Sequence, residues 1–140
     1  MPTQTNPDFD AVVAGAGMIG CTCAVAMAQS GARVALVDPG PINLKPSRQN
    51  GIRGSAVNLP RENILRALVA WPVLKVESLS PFRQIEVWDA GSAGQITFRA
   101  ADAGLAHLGH IIENEAITAA LTTRLSQLDD VSCFAGDSIE

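Results

Sequence analysis

At 140 residues the chain is long enough for one domain with a core of its own, and 47% hydrophobic against 17% charged residues marks it as globular rather than disordered. The net charge of −4 comes with no basic stripe, which excludes a nucleic-acid footprint, and no apolar run approaches the roughly 20 residues of a membrane span. The opening MPTQTNPD has neither the basic nor the apolar region of a signal peptide, so the cytoplasm is the expected compartment.

Residues 1 to 8 read as a loose leader. Phe9 to Ala14 is a short apolar run of the kind a buried parallel strand needs. Gly15, Gly17 and Gly20 follow at G-x-G-x-x-G spacing, then a small-residue helix from Met18 to Gln29, a strand from Arg33 to Val37, and Asp38. Each glycine has a mechanical task. Gly15 turns the chain out of the strand, Gly17 lets a pyrophosphate approach the backbone, and Gly20 lets the helix lie close to the sheet. The first helical N–H groups, those of Met18 and Ile19 among them, would face the phosphates with the positive end of the helix dipole. Asp38 stands where a carboxylate accepts from ribose hydroxyls, and its charge disfavours the 2′-phosphate of NADP. Strand, turn, helix, strand and acid together point to a dinucleotide, with FAD and NAD both open.

Pro39 to Asn50 reads as an exposed loop. Asn58 is an expected N-cap with Pro60 in the first turn, and Ile64, Leu65, Leu68 and Val69 form a helical stripe that Trp71-Pro72 ends. Residues 82–99 alternate as a β-hairpin around GSAG, outside the parallel sheet. Ala100 to Ala106 reads as loop and Leu108 to Ile112 as a strand. Asn114 to Leu128 carries apolar positions at Ile117, Ala120, Leu121, Leu125 and Leu128, a helix pattern, and Val131 to Ala135 is an expected third member of the parallel sheet. The fold class is therefore α/β: a Rossmann-like βαβ domain over 1–140, with the hairpin from a second layer.

Cys21 and Cys23 point apart on a helix, and with Cys133 they read as small packing residues. His107 and His110 would face opposite sides of a strand, and no acid or cysteine stands beside them at zinc-ligand spacing. Neither is expected to hold a metal.

Four stretches carry a resemblance: the glycine unit with Asp38, GIRGSAVN around Arg53, IEVWDAGSAGQITF, and LGHIIENEAITAAL. In this order they resemble the flavin-dependent hydroxylases of ubiquinone biosynthesis, which share the p-hydroxybenzoate hydroxylase fold. The likeness runs from about Phe9 to the end. It implies FAD on Gly15, Gly17 and Gly20, with Asp38 as a ribose acid that is more often Glu in the family. It implies Arg53 along the FAD and Asn114 at the start of a helix facing the flavin chain, an ordinary N-cap being the other reading of Asn114. Gly54 replaces a larger aliphatic. The implied chemistry uses NAD(P)H as co-substrate and dioxygen to hydroxylate a prenylated phenol; it names no catalytic residue in this stretch. Family members are nearly three times as long, and their later Asp-Gly and Gly-Asp segments find no counterpart. The chain thus corresponds to an N-terminal portion, and self-association, a completing chain, or peripheral membrane contact of the full-length enzyme are the associations expected. Another FAD or NAD oxidoreductase sharing only the βαβ unit, and a non-catalytic interaction module, are the alternatives.

Overall fold

The computed structural model describes residues 8–42, 53–91 and 93–139. Residues 1–7 of the leader and 43–50 of the Pro39–Asn50 loop lie outside them. Three strands form a parallel sheet in the order β1 (Ala11–Ala14), β2 (Val34–Asp38), β8 (Val131–Ala135). Leu36 of β2 pairs with Val13 on one side and Cys133 on the other. In the central strand β2, Val34 and Leu36 face the core, while Ala35 on the other face is buried as a small residue between its two neighbouring strands, where Val12 and Phe134 stay exposed.

Helix α1 (Met18–Gln29) crosses from β1 to β2 and buries Cys21, Ala24, Val25 and Ala28. Helix α3 (Asn114–Leu125) lies against it, with Ile117, Ala120, Leu121 and Leu125 in the same core. Small residues on α1 allow that close packing. The Cys21 thiol is buried in it, and burial pushes its pKa up to about 11, the behaviour of a packing residue and not of a nucleophile. Leu128 lies past the end of α3, only partly buried against the core.

A second, antiparallel sheet has the order β3 (Gly54–Asn58), β7 (Gly109–Glu113), β4 (Ser80–Phe82). Neither β3 nor β4 is legible in the sequence. Gly54-Ser55-Ala56-Val57 lacks bulky β-formers, and Pro81 argues against a strand. Pro81 is tolerated because β4 is an edge strand that pairs only with β7. The central β7 opens on Gly109. A Cβ there would stand 2.2 Å from the Val57 carbonyl oxygen and 2.9 Å from both Asn58 Cα and the Phe82 ring, so the three strands close only around a glycine.

Helix α2 (Leu59–Ala67) starts as expected: Asn58 Oδ1 accepts from the Arg61 N–H at 3.3 Å, with Pro60 in the first turn. It ends earlier than the sequence suggests. Leu68 is its C-cap, and Trp71–Val73 is a separate 3₁₀ turn. Val69 adopts φ +58°, its N–H donates to the Arg66 carbonyl, and the Ala70 N–H donates to that of Leu65. This is a Schellman ending with a β-branched residue in the left-handed position that usually takes glycine. So the stripe splits, with Leu65 and Leu68 buried and Ile64 and Val69 about half exposed. Val69→Gly removes a left-handed penalty of about 1–2 kcal/mol against a glycine entropy cost of about 0.5–1, so the variant is expected to be more stable by about 0.5–1 kcal/mol. Urea midpoints check this; a lower midpoint for the variant would show that the Val69 side chain contributes more by contact than its backbone costs.

The hairpin forms from β5 (Gln84–Trp88) and β6 (Gln95–Arg99), and stands apart from both other sheets. Asp89 N–H donates to the Gly94 carbonyl, leaving a four-residue tip. Ile85 pairs with Phe98 and Val87 with Ile96, which places four apolar side chains on one face, all exposed. The segment after it is not simple loop: Ala100–Ala103 is a 3₁₀ turn with Ala100 buried. His107 precedes β7 and does not lie within it, so the two histidines do not face opposite sides. Their rings meet at 4.5 Å and both reach Glu62.

Candidate dinucleotide-binding site

The turn between β1 and α1 is built by its glycines. Gly15 has φ +94°, and its N–H donates to the Val37 carbonyl at 2.8 Å, holding the turn against β2. A Cβ on Gly20 would lie 1.8 Å from the Gly15 carbonyl oxygen, so the first turn of α1 rests directly on the glycine turn. Around Gly17 the space is open: a Cβ there meets nothing within 4 Å. This is the place a phosphate needs to reach the backbone.

Gly17 is the N-cap of α1 and brings no side-chain cap. The first turn holds no acidic residue either, and the N–H groups of Met18, Ile19 and Gly20 have no intrahelical acceptor. An anion in front of this end meets free donors and the positive pole of a 12-residue helix. Ile19 projects outward and is largely exposed.

Asp38 sits at the carboxyl end of β2 and ties the turn together. Its Oδ2 accepts from the Ala16 N–H at 2.6 Å and its Oδ1 from the Gly40 N–H at 2.7 Å. These two donors hold the carboxyl below its ordinary range. The folded value lies below the unfolded one, so the stabilisation is complete above about pH 4 and is lost as the pH falls further. A carboxylate has about four acceptor positions, so two remain for ribose hydroxyls.

Arg53 and Asn114 are brought together from 61 positions apart. The Asn114 N–H donates to the Arg53 carbonyl at 2.9 Å, where β3 and β7 end side by side. Asn114 is not an N-cap; Glu113 holds that position, with no side-chain cap bond, and Asn114 is the first helical residue. Its Oδ1 instead accepts from Ser55 Oγ at 2.6 Å, which fixes the amide against β3. Ser55 joins this candidate group without any sequence signal, because only the pairing of β3 with β7 sets it beside Asn114. The Arg53 side chain is exposed. The glycine turn with Asp38 forms one group, Arg53 with Ser55 and Asn114 a second, and the packing of α1 on α3 connects them.

Residues 11–85, just over half of the chain, match the family described as ketopantoate reductase PanE/ApbA, to which the chain belongs by that dinucleotide-binding unit. That match stops inside the first hairpin strand. Two curated relatives extend much further. The 3-demethoxyubiquinol 3-hydroxylase of Escherichia coli (strain K12) is 29% identical over 119 residues, 84% of this chain and 30% of the relative. The mitochondrial ubiquinone biosynthesis monooxygenase COQ6 of Xenopus tropicalis is 32% identical over 136 residues, 91% of this chain and 29% of the relative. Over most of its length the chain is thus similar to hydroxylases of ubiquinone biosynthesis. It spans about 30% of the length of these hydroxylase relatives. The fold of this chain is seen in PqsL from Pseudomonas aeruginosa, described as a probable FAD-dependent monooxygenase. It superposes with a TM-score of 0.70 at 14% identity, over 94% of this chain and 35% of that one. Among the described residues, no helix is long and apolar enough to cross a membrane.

Proposed function

We propose that this chain is the FAD-binding part of a monooxygenase that hydroxylates a polyprenyl phenol in ubiquinone biosynthesis, with NAD(P)H as the reductant and dioxygen as the oxygen source. The observation that carries the reading is the preformed glycine turn: open at Gly17, supported at Gly20 and anchored by Asp38. The names of the two curated relatives supply the reaction class.

In this reading the N–H groups of Gly17, Met18 and Ile19 bind the pyrophosphate, and Asp38 accepts from the adenosine ribose while keeping the turn closed. Arg53 offers its planar donors to phosphate or ribityl oxygens, and the amide of Asn114, held by Ser55, faces the flavin chain. A bound FAD supplies the electron transfer and the activation of oxygen. No side chain on this stretch is assigned as acid or base. The apolar face of Ile85, Val87, Ile96 and Phe98 is where a substrate-side layer, or a second copy, would pack.

Titration of the chain with FAD, followed by flavin fluorescence, tests this directly. FAD should bind, and Asp38→Ala should weaken it about tenfold or more, the value of a hydrogen bond to a charged group. Equal affinity of the two proteins would remove Asp38 from the ribose. The match to a ketopantoate reductase family favours a second reading, a nicotinamide-binding unit. Tight NADH binding without FAD binding would support that one.

A further inference from the structure

Glu62, His107 and His110 lie outside the dinucleotide site and converge from α2, the segment before β7, and β7. Glu62 Oε2 is 3.3 Å from His107 Nε2 and 3.1 Å from His110 Nδ1, and the three atoms lie within 4.8 Å of one another. We propose that this cluster is a binding site for a divalent transition-metal ion of the zinc class.

The donor set is two imidazoles and one carboxylate, the set zinc takes when it keeps a fourth position for water. Donors around a tetrahedral ion at about 2.0–2.2 Å stand roughly 3.3–3.5 Å apart. Both Glu62–His separations are already close to that spacing, so binding requires only that the ion take the place of the shared hydrogen bonds. The surroundings orient the ligands. Arg66 donates to the other carboxylate oxygen, Oε1, through Nη2 at 2.7 Å and Nε at 3.2 Å, and leaves Oε2 for the ion. The Trp71 and His110 rings pack edge to face with centroids 5.4 Å apart, and the Arg66 guanidinium lies 4.5 Å over Trp71. The Glu62 side chain is 5% exposed and that of His107 26%, so the cluster is enclosed but reachable from the His107 side. A bound ion would clip α2 to β7, across the 48-residue separation of Glu62 and His110. The charge of Arg66 opposes a second cation, so this site should be weaker than a closed structural zinc site.

Titrate the metal-freed chain with Co²⁺ and follow the visible spectrum, then displace Co²⁺ with Zn²⁺ in a calorimeter. One equivalent should bind, with a tetrahedral visible band and no thiolate charge-transfer band, which separates this site from Cys23 and Cys133. Glu62→Gln, which preserves shape, and His107→Ala, at the most exposed ligand, should each weaken binding at least tenfold while circular dichroism stays unchanged. Arg66→Gln should tighten it. No stoichiometric binding, a thiolate band, or variants that bind as wild type does would each overturn the proposal.

Discussion

Gly20→Ala should unfold or severely loosen the glycine turn and abolish dinucleotide binding. The added methyl would sit 1.8 Å from a backbone oxygen and 3.4 Å from Val13 Cγ1. A flexible side chain could move aside, but the Gly15 carbonyl belongs to a turn that β2 holds by the Gly15–Val37 bond and by Asp38. Helix α1 would have to retreat from β1, and with it the packing of Cys21, Ala24 and Val25. Overpacking of this kind costs about 3 kcal/mol or more. Gly17→Ala provides the contrast. Its backbone has φ −74° and its Cβ meets nothing, so the fold should keep its stability to within about 1 kcal/mol. The same methyl would nevertheless occupy the space a pyrophosphate needs. Urea unfolding and FAD titration of both variants separate the glycine that supports the fold from the glycine that admits the ligand. Equal unfolding midpoints for Gly20→Ala and wild type would overturn the steric account.

Glu62→Ala should be the most damaging change outside that turn. Glu62 is buried among three partners, and the acceptor it offers to Arg66, His107 and His110 has no substitute among the contacts described for that cluster. Burial raises its pKa, but the hydrogen bonds from Arg66 and the two histidines outweigh burial and hold the carboxyl below its usual value. Removing one member of a buried charged cluster costs about 3–5 kcal/mol when all members are enclosed. Arg66 is half exposed and can turn to water, so a loss of about 2–3 kcal/mol is expected. Glu62→Gln retains one acceptor and should lose less than half as much. If the alanine variant unfolds at the wild-type urea concentration, the cluster does not hold α2 to β7.

The sequence determined the βαβ half of this protein, because its signals are local. An apolar strand, three glycines at fixed spacing, a helix and a terminal acid all lie within thirty residues; Gly15 turns the chain, Gly20 seats the helix on that turn, and the space at Gly17 is open. Even the third parallel strand was legible, since Val131–Ala135 is short, apolar and preceded by a helix. The antiparallel sheet was not. Its edge strands have weak side-chain signals, and β-pairing is settled by backbone partners supplied from elsewhere in the chain. Hence Pro81 could stand in a strand, and Gly109 had a reason, the close approach of Val57, Asn58 and Phe82, that no local pattern carries. The site divides the same way. Asp38 was found at its spacing, whereas the meeting of Arg53, Ser55 and Asn114 depends on the register of β3 with β7. The convergence of Glu62 with His107 and His110 is purely tertiary: sequence spacing left the histidines without an acid, and the fold brought one from α2. Local periodicity encodes how a segment folds against the nearest layer. Which distant side chains share a burial site is decided only when the layers close.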